Sequence, residues 1–502
     1  MAQPPHSFDW VEYTPGRWQR DIDEVEMFWA KAAKVFDTQG RRPFAITGHV
    51  SLKIDTTAAA SRPDVNGALR KAWCRTRQDH PSIASQVEYD FDTERFTRTY
   101  SMIQSEVARE GWLEATFLEI SNGQLGVEFA NSDPAAPDLP TIFVITLPSD
   151  DKDFEYRDII FRAPHETIDG IGTLLLLSNI VKHASDALEQ GNSFTLAGLG
   201  GTEVQNLSPP YRAAAAVPQD LNSVQKARVE KMFSEHAFFS QPHEPKQYLS
   251  LPFRKGAQVP GRHQRTEITL DQAKTAKILA ACKAIGATVT HAFNAAIPIV
   301  LHGLVNENAH QQPLHYRCDL LRNLRPFCAE PFSTSKHPVT AYHAGSSFGF
   351  EIEMPVGTDG QPLKKEFQRV LQEVRAFYRR VADDDEHSYL APHIWAGWLQ
   401  TLPRLIKNPA PGPPPSPNPS VSLSSLGRLD DILPSTMGCF SISKPWITGE
   451  EMGNGYGIFL ASHRGELSLA AAYNDAWQAE GDAQKFLQAC IQVLCESLDI
   501  DI

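Results

Sequence analysis

The chain has 502 residues, more than the roughly 250–300 at which a single hydrophobic core stops growing, so two domains are expected. Hydrophobic residues make up 42% and charged residues 21%, which excludes a disordered polyelectrolyte and a bundle of membrane helices. The formal net charge of −13 opposes broad binding to nucleic acid or to an anionic membrane surface, so an anionic ligand needs a local basic patch.

The cysteines and the N-terminal sequence indicate the compartment. Seven cysteines, none in a CxxC pair, fit neither a disulfide framework nor a metal ribbon, so we expect no metal site and a reducing environment. The chain begins without the charged and apolar run of a signal peptide, and its apolar runs are too short to span a bilayer. These features predict a cytoplasmic protein that does not enter the membrane.

The first part of the chain alternates helices and strands. Apolar periodicity predicts helices at 21–36, 65–78 and 169–189, and β-branched or aromatic runs predict strands at 43–54, 113–120, 124–130, 141–147 and 155–162. The last two strands flank an acidic turn at 150–153, which favours a hairpin.

The rest of the chain begins with a break and then returns to mixed elements. No strong period survives between 191 and 261, which is typical of a long connection. After it we predict strands at 266–270, 314–320, 339–345 and around 421, 439, 458 and 467, with helices at 271–285, from 290, at 363–383 and at the C-terminus. Residues 410–420 predict an extended proline-rich loop. We therefore divide the chain into an N-terminal lobe (1–190), a crossover linker (191–262) and a C-terminal lobe (263–502).

The most informative motif is HETIDG at 165–170, an HxxxDG on a strand-to-helix turn. A neutral imidazole at His165 can take a proton from an alcohol or amine as that group attacks an acyl carbon. Asp169 can hold the turn closed, and Gly170 leaves room for a ligand. The alternative is a histidine that merely neighbours an Asp helix cap.

This motif resembles the active-site motif of the superfamily of CoA-dependent acyltransferases and peptide-synthetase condensation domains, which includes the plant BAHD acyltransferases. Weaker segments follow in the superfamily's order: ALRKAWCRTRQDHPSI, RCDLLRNLRP, SSLGRLDDIL and GELSLAAAYN. The sequence is most similar to the fungal trichothecene 15-O-acetyltransferase group. Two departures stand out: the plant DFGWG motif is absent, and Pro164 occupies the position where condensation domains carry a second histidine.

The resemblance implies an α/β fold of two chloramphenicol-acetyltransferase-like lobes, mixed sheets with helices, and a tunnel between them that holds His165. His165 would be the general base for direct transfer, with no acyl-enzyme. Asp169 would be structural and paired with an arginine, for which Arg322 is the candidate; an ordinary surface arginine is the alternative at that position.

The remaining site residues are less specific. The resemblance places Ser424, Ser425 and the Gly427 backbone as oxyanion donors, although a serine-rich strand end explains them equally well. Four cations within twelve residues, together with Lys274, could bind the phosphates of CoA or could be solvated surface charge; these are Arg254, Lys255, Arg262 and Arg265. His343 is expected to be a core or wall histidine and not a second base, while Trp395 and Trp398 predict either a packed helix or an apolar acceptor pocket.

The favoured function is an acyl-CoA-dependent O-acyltransferase, with acetyl as the acyl group and a hydroxylated fungal terpenoid or polyketide as the acceptor. Acyl-CoA would be a co-substrate, no cofactor would be bound, and the protein would act as a monomer. Two alternatives stay open. One is a condensation-like enzyme that uses an acyl carrier protein or catalyses amide formation, cyclisation or hydrolysis; the other is a silent homologue that only binds a metabolite.

Overall fold

The structure is a computed structural model that describes residues 8–36, 41–57, 64–151, 153–196, 198–236, 238–239, 246–305, 312–355, 363–407 and 412–501. Within these residues the α-helices are α1 (Glu24–Val35), α2 (Val65–Asp79), α3 (Glu106–Thr116), α4 (Gly126–Asn131), α5 (Gly170–Gln190), α6 (Tyr211–Ala214), α7 (Ser223–Glu235), α8 (Gln272–Ala284), α9 (Val289–Gly303), α10 (Leu363–Ala382), α11 (His387–Leu399) and α12 (Glu480–Ser497).

Strands from both ends of the chain build the sheets. They are β1 (Val11–Thr14), β2 (Arg17–Asp21), β3 (Ile46–Asp55), β4 (Ser85–Asp90), β5 (Arg95–Ser101), β6 (Phe117–Ile120), β7 (Thr141–Leu147), β8 (Phe154–Ala163), β9 (Gln247–Tyr248), β10 (His263–Leu270), β11 (Leu314–Cys318), β12 (Leu321–Asn323), β13 (His343–Gly345), β14 (Phe350–Met354), β15 (Val421–Arg428), β16 (Thr436–Met437), β17 (Phe440–Gly449), β18 (Tyr456–His463) and β19 (Glu466–Asn474).

A six-stranded mixed sheet, in the order β16-β17-β3-β8-β7-β6, forms the first lobe. β7 and β8 pair in antiparallel register, so the predicted hairpin is confirmed. Leu69 and Trp73 of α2, together with Leu177 of α5, join its strands in a single buried core, since the apolar stripes of both helices face the sheet. This packing fixes the end of β8, where the HxxxDG turn begins.

A second sheet, in the order β10-β19-β18-β15, carries the core of the second lobe, to which α9, α10 and α12 contribute. The strand β17 departs from the predicted division at residue 262, because it pairs along β3 of the first lobe. Residues 440–449 therefore belong to the sheet that supports His165, although they lie late in the sequence.

Three segments differ from the sequence-based predictions. Residues 124–130 were expected to be a strand, but they include the start of α4, because the backbone N–H of Leu125 donates to the Glu128 carboxylate and that of Gly126 to Asp158, which pins a helical turn. The predicted strand 113–120 is extended only over β6, because Ser105 caps α3 ahead of it. The linker also contains α7, which Asn222 caps through the backbone N–H of Gln225.

The mixed α/β class and the two-lobed arrangement of the described residues are as predicted from the sequence. All seven cysteines are unpaired, and six of them are buried. Within the described ranges no single helix has the length and apolar character to cross a membrane, although the bent pair α8 and α9 passes that test when the two are taken together.

Candidate active site

The HxxxDG turn joins β8 to α5 and is locked at both ends. The backbone N–H of Thr167 donates to the Pro164 carbonyl (3.1 Å), which closes the turn. Asp169 then caps α5, since its Oδ1 accepts from the backbone N–H of Gly172 (2.7 Å). A Cβ on Gly170 would lie 2.3 Å from Ile447 Cδ1, so this glycine lets β17 pack directly against the start of α5.

Asp169 forms an ion pair with Arg325, and the assignment of Arg322 is wrong. Arg325 Nη1 lies 2.9 and 2.8 Å from the two oxygens of Asp169, and both side chains are about 5% exposed or less. Arg322 lies on β12, paired with Ala344, and its guanidinium stacks over the Phe327 ring at 4.8 Å. The chain turns after Asn323. Arg325, three residues after Arg322, therefore reaches the Asp169 carboxylate.

All the acceptor positions of the Asp169 carboxylate face structural donors. Besides Gly172 and Arg325, the backbone N–H of Tyr342 donates to Oδ2 (2.8 Å). The Arg325 guanidinium lowers the pKa of Asp169 below its usual range against the opposing effect of burial, so the group stays ionised. This carboxylate therefore fixes the turn and the segment around Thr340, and does not act as the orienting acid of a Ser-His-Asp triad.

The strand predicted at 339–345 is limited to β13, because hydrogen bonds to Asp169 engage the residues before it. The carbonyl of Thr340 accepts from the backbone N–H of Asp169 (3.0 Å), and the N–H of Tyr342 is engaged by the Asp169 carboxylate. Only β13 remains free to pair, and it does so with β12. The result is that His343 is held close to the HxxxDG turn.

His165 lies in an aromatic enclosure and is 8% exposed. Its ring is stacked on Trp29 of α1, with 4.0 Å between the ring centres and 5° between the planes. The ring of His343 lies 4.9 Å away, and Trp395 packs edge-on against both Trp29 and His343. The two tryptophans and Tyr342 belong to one buried cluster that joins α1, α11 and β13.

Burial lowers the pKa of His165 to about 4, against the opposing influence of Asp169 and of nearby backbone carbonyls. A lowered histidine pKa means that the imidazole stays neutral, and able to accept a proton, at every pH above that value. The chemistry available to this ring is therefore general-base catalysis on a group presented inside an apolar enclosure.

A pH profile tests this electrostatic picture. Because the neutral imidazole is the active form, we expect the acidic limb of kcat/KM for acyl transfer to lie near pH 4, well below the value of about 6.5 for a solvated histidine. The measurement is kcat/KM from pH 4 to 8, with thermal unfolding followed in the same buffers. An acidic limb near 6.5 in a folded enzyme would contradict it.

The five predicted CoA-binding cations differ in burial and in their partners. Arg254, Lys255 and Arg262 are exposed on the loop before β10, where Arg254 Nη2 donates to the carbonyls of Asp475 and Gln478 (both 2.7 Å).

The other two cations of that set are engaged elsewhere. Arg265 is buried, pairs with Glu267 and stacks over Trp446 at 4.5 Å, while Lys274 lies at the start of α8, 4.0 Å from Asp271. A phosphate site on the exposed loop before β10 remains a prediction, and Arg265 is set apart from it.

The predicted oxyanion donors lie on β15, which runs parallel to β18 and has a bulge between Ser425 and Gly427. Ser425 Oγ is 2.8 Å from Thr290 Oγ1 at the start of α9, and both Ser425 and Gly427 are exposed. Among the described residues no hydrogen bond or ring contact joins Ser424, Ser425 or Gly427 to His165. Their role stays a prediction.

Sequence reasoning missed the contribution of Trp29 and underrated His343. Trp29 was seen only as part of an amphipathic helix, and its Nε1–H donates to His343 Nε2 (3.2 Å) across 314 residues of chain. Nothing local in the sequence indicates that β13 faces the HxxxDG turn.

The chain is similar in sequence to two fungal acetyltransferases. No protein-family model matches the chain. It is 23% identical to the O-acetyltransferase pigM of Monascus ruber, over 98% of this chain and 88% of that protein, and 23% identical to the acetyltransferase pigO of the same fungus, over 67% of each. Both curated relatives belong to the enzyme class predicted from the motif.

Solved structures share the fold. The trichothecene 15-O-acetyltransferase TRI3 of Fusarium sporotrichioides superposes with a TM-score of 0.77 over 97% of each chain, at 16% identity. The condensation domain of the Monacolin K polyketide synthase MokA superposes with a TM-score of 0.59 over 98% of each chain, at 12% identity. The resemblance predicted from HxxxDG is thus confirmed at the level of the fold, which the chain shares with an O-acetyltransferase and with a condensation domain.

Proposed function

We propose that this protein is an acetyl-CoA-dependent O-acetyltransferase that acts on a hydroxylated fungal secondary metabolite. The observation that carries the proposal is the neutral, enclosed imidazole of His165 on a turn that the Asp169–Arg325 pair locks. The similarity to fungal acetyltransferases supports acetyl as the transferred group.

The proposed reaction is a direct transfer. His165 takes the proton of the acceptor hydroxyl, and the oxygen attacks the thioester carbonyl to give a tetrahedral intermediate. As the intermediate collapses, the C–S bond breaks and the imidazolium returns its proton to the departing thiolate. The base is thereby regenerated without an acyl-enzyme, and the products are the acetate ester and free CoA.

The aromatic rings beside His165 support an apolar acceptor. Trp29, Phe28, Trp395 and Trp398 form a continuous set of ring contacts next to His165, with centre separations of 4.9 to 6.3 Å. Such rings bind flat or apolar skeletons through large contact areas and leave a hydroxyl to be oriented by the polar groups of the site. A terpenoid or polyketide scaffold with a free hydroxyl has this character.

The test is acceptor-dependent release of free CoA by the purified full-length protein, with hydroxylated sesquiterpenes and polyketides as acceptors and mass spectrometry of the products. We expect thiol release and a product heavier by one acetyl group. A parallel assay supplies the acetyl group as a thioester on the pantetheine of an acyl carrier protein. Transfer from the carrier but not from CoA, or neither transfer nor CoA binding, would overturn the proposed donor.

A further inference from the structure

Three rings lie in contact at the proposed site: Trp29, His165 and His343. Their centres are separated by 4.0 Å (Trp29 to His165), 4.9 Å (His165 to His343) and 6.0 Å (Trp29 to His343). These separations make nearly a right angle at His165, and the two imidazole planes differ by only 23°. Trp29 and His343 are thus both stacked with His165, and Trp29 is the nearer of the two.

Trp29 sets the tautomer of His343. An indole N–H is only a donor, so His343 Nε2, 3.2 Å from Trp29 Nε1, must be the acceptor. A neutral imidazole then carries its proton on Nδ1. Burial lowers the pKa of His343 to about 3, and the neighbouring His165 acts in the same direction, so the ring is neutral near pH 7.

The His343 N–H at Nδ1 is held in a fixed position and has no hydrogen-bond acceptor among the described residues. The backbone of His343 pairs with Asn323, and its carbonyl accepts from Trp395 Nε1 (2.8 Å), which holds the residue from two sides. Nδ1 itself is buried, and within the described residues it has no hydrogen-bond partner. A buried donor without a partner is costly, so a rigid one beside a reactive imidazole is a candidate for contact with substrate.

Acyl transfer needs such a donor, because the thioester carbonyl oxygen becomes negatively charged when the hydroxyl attacks. In the part of the chain that the structure describes, no hydrogen bond joins His165 to the serines proposed for this task from the sequence, and the Ser425 hydroxyl is paired with that of Thr290. His343 lies beside the base, and a neutral ring donates without competing for the proton that His165 removes.

We propose that His343, held by Trp29 with its proton on Nδ1, donates that N–H to the carbonyl oxygen of the acyl group during transfer. This assigns His343 as a catalytic residue and Trp29 as the positioning residue that fixes its tautomer. The inference rests on the proposed acyl-transfer function.

Two amide variants of His343 distinguish hydrogen-bond donation from Nδ1 from a purely structural role of the side chain. In His343→Asn the amide nitrogen can take the place of Nδ1 and keep a donor, whereas in His343→Gln the amide reaches the place of Nε2, keeps an acceptor for Trp29 and loses the donor. We expect His343→Gln to lose about 10²–10³-fold in kcat, with little change in KM for acetyl-CoA, and His343→Asn to lose at least tenfold less.

Gln activity equal to or above Asn activity would overturn the proposal, because a purely structural histidine is better replaced by the longer amide. Ser425→Ala tests the competing oxyanion donor that the sequence suggests, and a loss of kcat in this variant as large as that expected for His343→Gln would also overturn the proposal. Thermal unfolding of each variant shows whether a loss of activity reflects loss of fold.

The tautomer is measurable without any turnover. In the full-length protein labelled with ¹⁵N-histidine, the His343 signals, assigned by their loss in His343→Gln, should show a protonated Nδ1 and an unprotonated Nε2 near pH 7. Trp29→Phe keeps an aromatic ring but removes the indole N–H, and should weaken this preference. A proton on Nε2 in the wild type would overturn the inference even if transfer occurs, whereas a wild type with the expected tautomer and no transfer would contradict the proposed function instead.

Discussion

Replacing His165 with alanine is expected to lower kcat for acetyl transfer by about 10²–10⁴-fold, the range that a positioned general base contributes. The ring is stacked on Trp29, and alanine removes the proton acceptor without breaking any ion pair of the turn. The measurement is kcat with a productive acceptor, accompanied by thermal unfolding to show that the variant is folded.

A matched histidine provides the control. His183 on α5 is mostly buried and lies 3.2 Å from Asp79, on the side of the helix that contacts α2, so its substitution perturbs the same helix away from the enclosure. We expect His183→Ala to retain kcat within a few-fold of wild type. Near-normal turnover in His165→Ala would contradict the role of His165 as the base, and an equal loss in both variants would show that the helix and not the imidazole is responsible.

Arg325→Ala is expected to lower the free energy of unfolding by about 3–5 kcal/mol, the cost of leaving a buried charge without its partner. Asp169 and Arg325 are both almost fully buried, and Arg325 Nη2 also donates to Thr340 Oγ1 (2.9 Å). Loss of the guanidinium should also raise the pKa of Asp169 and loosen the turn. Urea unfolding followed by fluorescence measures the change.

Arg322→Ala is the control three residues away. Arg322 is half-buried and its clearest contact is with the Phe327 ring, so its removal should cost only about 1 kcal/mol. Equal losses of stability for the two alanine variants would contradict the assignment of Arg325 as the partner of Asp169. The two variants together therefore test whether Arg325, and not the Arg322 predicted from the sequence, stabilises Asp169.

Much of the fold follows from local patterns that the structure retains. The strands β3, β7 and β8 and the helices α2, α5 and α10 lie where apolar periodicity predicts them, because each buries the stripe that the sequence displays. The residues 124–130 show the limit of that reasoning. Alternating Leu125, Val127 and Phe129 favour a strand, yet two side-chain carboxylates that accept from the backbone turn the segment into a helix.

Some contacts of the candidate site join residues that are neighbours in the sequence, and others join residues that are far apart in it. His165, Asp169 and Gly170 lie within six residues, so their relation is readable from the sequence. The pairing of Asp169 with Arg325 depends on a turn after Asn323, and the contact of Trp29 with His343 joins residues 314 positions apart in the chain. No local pattern encodes either contact, because each joins segments that are distant in the sequence.

The measurement that tests the central claim most directly is a single turnover of the full-length protein with one equivalent of acetyl-CoA, isotopically labelled in the acetyl group, and an excess of acceptor. After acid quenching, intact mass spectrometry follows the label. The account predicts that the label passes from CoA to the hydroxyl of the acceptor, with no acetylated protein at any time point. Label that accumulates on the protein before it reaches the acceptor would contradict direct transfer with His165 as the base.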